Sequence, residues 1–156
     1  MSIIMSMNID KDINQPSWFS RWYCQILFEY IYEFSCHAGA VPNNLGKLVK
    51  HFDIKINPLL KVAGQEFSIE EYGNDKEKFE KARKYNISCW QNPQKLIDCL
   101  KGFVDKIDYE PDVFSRLEIQ DDYFLQGYFK KELLDLIRMA EWAKENNVRK
   151  IRLWAA

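Results

Sequence analysis

The sequence predicts a mainly α-helical single domain of five to six helices, with a few short strands including one at the C-terminus. Three observations predict it. Apolar residues recur at i, i+3 and i+4 through three long stretches, which is the period of a buried helix face. Asn57–Pro58 and Asn92–Pro93 each read as a cap followed by a proline, whose missing N–H costs nothing at a helix start. The length of 156 residues suits one domain with a sizeable core, and no repeat or Pro/Gly/Ser linker divides it.

In chain order, residues 1–15 (MSIIMSMNIDKDINQ) have no basic start and an apolar run of only three residues. They do not make a secretory signal and are expected to be flexible or loosely packed. The stretch SWFSRWYCQILFEYIYEFS predicts the central helix. Its stripe is Phe19, Trp22, Tyr23, Ile26, Leu27, Tyr30, Ile31 and Phe34, with Ser17 as N-cap and Gly39 and Pro42 as the stop. Trp22, Ile26, Leu27 and Ile31 should lie in the core. Phe28 and Tyr32 sit off the stripe, so a second helix or a partner must cover them. Asn44 should cap a short helix through Leu48, Val49 and Phe52, and another should follow Asn57–Pro58. Residues 65–74 read as a loop between Gly64 and Gly73, and Asn74 with Glu77 has capping-box spacing. A short charged helix comes next. Leu96, Ile97, Leu100, Phe103, Val104 and Ile107 mark one apolar stripe. Phe129, Leu133, Leu136, Ile137, Ala140 and Ala143 mark the last, which should stop at Asn146–Asn147. The tail VRKIRLW reads as a terminal strand.

The motifs of catalysis are missing. Asp108, Glu110 and Asp112 occupy positions 1, 3 and 5 of an EF-hand-like frame. Val113 then stands where the sharp turn needs Gly, and Ile119 where a bidentate Glu belongs. His37 and His51 are the only histidines, and neither has a ligand-spaced partner. Cys36–His37 is the one thiol–imidazole neighbour pair, but adjacent side chains on a helix diverge. There is no GxSxG, P-loop or GxGxxG. The expectation is a non-enzyme with no catalytic residue, metal or other cofactor. Cys24, Cys36, Cys89 and Cys99 form no CxxC pair, and no stretch approaches about 20 apolar residues. A reduced cytoplasmic protein without a membrane partner is expected.

A net charge of −1 supplies no global field, so local patches decide. Residues 42–63 set Lys47, Lys50, Lys55 and Lys61 against Asp53, a local +3. Their helix–turn–helix outline makes a DNA-binding regulator the alternative reading. The second helix offers only Lys61 where a base reader wants Arg, Asn or Gln, so no direct nucleic-acid contact is expected. A small hydrolase or nuclease ranks third, because a pair of acids able to do general acid–base work is always available among 23. The strongest feature is DKIDYEPDVFSRLEIQDD, residues 105–122, with seven acids against Lys106 and Arg116, a local −5. Asp121 or Asp122 should cap the last helix. Asp105, Asp108, Tyr109, Glu110, Asp112, Glu118, Asp121, Asp122 and Tyr123 together should dock a protein with a basic surface. Charge would speed the encounter and the rings would anchor the complex.

A one-domain chain with 15% aromatic residues, an acidic segment and no catalytic motif resembles the immunity proteins of bacterial contact-dependent growth inhibition and related polymorphic toxin systems. LLDLIRMAEWAKENNVRKIRLW resembles the helix-then-strand ending of the barstar-type ribonuclease inhibitors. The resemblance implies a non-enzyme that binds one cognate toxin, often a nuclease, and blocks its active site or its partner surface. It carries over no individual functional residue.

Overall fold

The computed structural model describes residues 4–19, 25–36 and 42–156. Among the described residues there are eight helices, five of them seven residues or longer, and a three-stranded sheet that includes a C-terminal strand. The order is β1 (Met5–Ile9), α1 (Gln25–Cys36), α2 (Asn44–Phe52), α3 (Asn57–Leu60), β2 (Val62–Ala63), a 3-10 turn (Ile69–Tyr72), α4 (Lys76–Ser88), α5 (Pro93–Tyr109), α6 (Val113–Arg116), α7 (Asp122–Leu125), α8 (Tyr128–Glu145) and β3 (Ile151–Ala155). The mainly helical class read from the apolar periodicity is the class observed.

The spine of the fold is the α5–α8 pair. Asn92 caps α5 by accepting from Gln94 N at 2.8 Å, and every residue of both expected stripes is buried. Side-chain contacts Lys144–Gln94, Lys101–Glu141 and Lys130–Asp108 run in opposite directions along the two helices. The pair is therefore antiparallel, with the C-terminal end of α5 beside the N-terminal end of α8. Asn146 and Asn147 end α8, the latter at φ 60°.

β3 is the middle strand, antiparallel to β1 (Met5↔Ala155 to Ile9↔Ile151) and parallel to β2 (Val62↔Leu153). Residues 5–9 correct the expectation of a loose segment over 1–15. Alternation in Met-Ser-Met sends Met5 and Met7 to one face of the strand, and both are buried in the core. Gln91 ties the sheet to the helices. Its backbone bridges Ile151 in both directions, and its Nε2 donates to Pro58 O at 2.8 Å.

Several local readings shift by a residue or a turn. Residues 17–19 form a turn in which Phe19 N donates to Pro16 O at 3.0 Å, so Ser17 is not a helix cap. Trp22, Tyr23 and Gly39 lie outside the described residues. Leu27 and Ile31 are core as expected, whereas Ile26 is 46% exposed. At about 100° per residue, Leu27, Ile31 and Phe34 centre the stripe, and Ile26 falls roughly 105° off its middle. Phe28 is half-buried and Tyr32 stays exposed, stacked on it at 6.3 Å. Asn43, not Asn44, caps α2 by accepting from Gly46 N at 2.9 Å. Asn57 is already helical, after an Ile56 cap without a side-chain bond. Asp75, not Asn74, caps α4 through Glu77 N and Lys78 N. The expected loop over 65–74 contains the 3-10 turn, held by a Ser68–Glu71 capping box.

Candidate docking surface

The acidic segment begins on the last turns of α5. Pro111 follows Glu110, and a residue before proline is pushed out of the helical region, so the helix stops with Tyr109 at its tip. Among the described residues nothing covers that ring, which is 92% exposed. α6 is one turn that buries Val113. Glu118 adopts φ 57°, and the chain turns back to bury Ile119. Asp121 then starts α7.

The structure divides the expected site into an inward and an outward set. Asp121 faces inward and is half-buried. Its Oδ1 accepts from Tyr123 N at 2.9 Å, and its Oδ2 accepts from Tyr30 Oη. Asn44 Nδ2 donates to the same Tyr30 oxygen at 3.2 Å, so this knot joins α1, α2 and α7. Burial first, then the bond to Asp121, pushes the Tyr30 hydroxyl up to about 12. Tyr123 is only 4% exposed, stacks on Tyr30 at 6.0 Å and donates to Glu132 Oε2 at 2.6 Å. Two expectations are corrected. Asp121 and Tyr123 build the interior and not the platform, and the capping acid is Asp121 on α7, not a cap of the last helix. That helix starts instead at Gly127 with φ 82°, a conformation glycine adopts without strain.

Two further acids are partly neutralised. Asp108 pairs with Lys130 of α8. Glu110 lies between His51 at 2.7 Å and Arg116. The hydrogen bond from His51, aided by Arg116, holds its carboxyl below the usual range. Asp105, Asp112, Glu118 and Asp122 are exposed and form no ion pair among the described residues. Leu125 at 48% and Tyr128 at 57% exposure add apolar surface beside them, on α7 and at the start of α8. Their only sequence signal is their position on either side of Gly127. The outward set thus occupies one end of the α5–α8 pair, an acidic rim with the almost fully exposed Tyr109 and the partly exposed Tyr128.

Among the described residues no three His, Cys, Asp or Glu side chains are grouped to hold a metal ion, and no helix is long and apolar enough to cross a membrane. Cys89 and Cys99 are buried, and burial raises both thiols, Cys99 to about 11. Comparison with protein-family models, curated proteins and solved structures finds no match to the chain.

The Tyr30–Asp121 knot yields a pH prediction. A folded-state pKa of about 12 against 10.0 unperturbed means the folded state holds the proton more tightly. The resulting stability is complete below pH 10 and is lost as pH rises through the window between those values. Denaturant titrations across that window should show the unfolding free energy falling more steeply in the native chain than in Tyr30→Phe. Parallel slopes would count against the knot. Asp121→Ala should cost about 1 kcal/mol of cap energy at neutral pH, while Asp121→Asn, which keeps the cap acceptor, should cost less in the same titration.

Proposed function

We propose that the chain is a non-enzymatic binding protein that captures a basic protein partner on the acidic end of the α5–α8 pair, in the manner of an immunity protein neutralising a toxin in the cytoplasm. The observation that carries the reading is Tyr109, 92% exposed at a helix tip between the paired acids Asp108 and Glu110, with Asp105 and Asp112 exposed on either side of them. A solvated acidic surface needs no bare ring. A docking surface uses one, because a rigid aromatic gains large contact area on burial at small entropic cost. The toxin-directed part of the reading rests on the resemblance in sequence character.

The DNA-binding alternative over residues 42–63 has less support. α3 is a single turn with Leu59 buried and Lys61 at its C-terminal cap, too short to lay a row of side chains along a groove. The test is to purify the chain with the product of the gene directly upstream of its own. A stable complex that suppresses that product's toxicity is expected. No complex, or substrate turnover by the chain alone, would overturn the proposal.

A further inference from the structure

A groove of about 480 Å³ lies between α4 and the segment that leads into it, and shares no residue with the acidic end. One face of α4 supplies Phe79, Arg83 and Ile87; Phe67 and Tyr72 stand opposite; Trp90 and Arg152 close one end. The sequence leaves this space open for a local reason. α4 is strongly polar, and its only buried residue is Asn86. That side chain bonds both Gly64 N and Gly64 O, at 3.1 and 3.2 Å. The chain is thereby pinned at the base of α4, while further along Phe67 and Ile87 remain 43% and 56% exposed.

Arg152 gives the groove its chemistry. Its side chain is 14% exposed and lies with Cζ 4.7 Å from the Trp90 ring centroid. Asn8 Oδ1 accepts from Nε at 3.3 Å and Nη2 at 3.2 Å, and Asn86 O accepts from Nη1 at 3.2 Å. Those bonds use three of the five N–H groups of a guanidinium. The nearest carboxylate is Glu66 at 3.9 Å with a 71% exposed side chain, which is ion pairing without a hydrogen bond. The cation is therefore fixed in position with donors to spare, at the end of a ring-lined groove of small-ligand size.

We propose that this groove binds a small aromatic carboxylate, its carboxylate on Arg152 and its flat body between Phe67, Tyr72 and Ile87. A planar fork matches a carboxylate, and Arg83, which also lines the groove, adds to the attraction for an anion. The probe is 2-naphthoate, compared with neutral 2-naphthamide, followed by calorimetry and by amide and indole NMR shifts. Naphthoate should shift the Trp90 indole and Arg152 signals. The amide should bind at least about tenfold more weakly, as expected for losing a charge-assisted bond. Phe67→Ala, at an exposed position that should leave the fold intact, should weaken naphthoate severalfold, and Arg152→Gln, which removes the charge, should remove the preference for the acid. Equal binding of acid and amide, shifts confined to other surfaces, or no binding up to the solubility limit would overturn the site.

Discussion

Replacing Phe124 by alanine should destabilise the protein by about 3–5 kcal/mol. The ring is 1% exposed and meets four others, with centroids at 4.9 Å to Phe129, 5.1 Å to Tyr123, 5.2 Å to Tyr30 and 5.8 Å to Phe114. Those rings belong to α1, α6, α7 and α8, so the truncation opens a hole where four elements meet. α7 is only one turn, far below the length at which a helix holds itself together. Its place depends on Phe124, Tyr123 and the Asp121 cap. For a chain of this size the melting temperature should fall by roughly 6–20 °C. Tyr109→Ala is the contrast, since nothing among the described residues covers that ring and the change should stay within about 0.5 kcal/mol. A Phe124→Ala protein melting within a degree or two of the native chain would show that the aromatic cluster is not the keystone.

The second large effect is on binding. Changing Asp105, Asp112, Glu118 and Asp122 together to lysine should slow association with a basic partner roughly 10- to 100-fold at low salt. The gap should close as salt shortens the screening length to about 8 Å and below. These four are chosen because they form no ion pair among the described residues. Reversing Asp108 or Glu110 would also break contacts to Lys130, His51 and Arg116 and confuse rate with stability. Tyr109→Ala should leave kon nearly unchanged and raise koff by roughly 30-fold if the ring is a central anchor. Stopped-flow association and dissociation separate the two. A quadruple variant that associates at the native rate in low salt would exclude charge steering.

What was legible in the sequence followed from how local its physics is. The stripes of α5 and α8 run over four to five turns, and periodicity names their buried residues. Asn92–Pro93 marks a helix start because both its residues act on adjacent backbone. β1 was illegible: its five residues are too few for alternation to stand out, and its pairing partner is the far end of the chain. Ile26 was misassigned because one residue on a helix moves a side chain by about 100°. In the acidic segment the charge count was legible but the division of labour was not. Tyr123 and Asp121 turn inward because Tyr30 and Asn44, far away in sequence, meet them there, and Glu110 finds His51 across 59 residues. The groove around Arg152 left no trace, since it brings α4 and the segment before it against β3, at the far end of the chain.

The most direct test of the docking surface is hydrogen–deuterium exchange of the chain alone and in complex with the proposed partner, sought first as the product of the gene directly upstream. New protection should concentrate in peptides covering residues 105–128, above all around Tyr109 and Asp112, with the interior peptides of α5 and α8 already protected in both states. A complex that forms while residues 105–128 exchange as they do in the free chain would contradict the assignment.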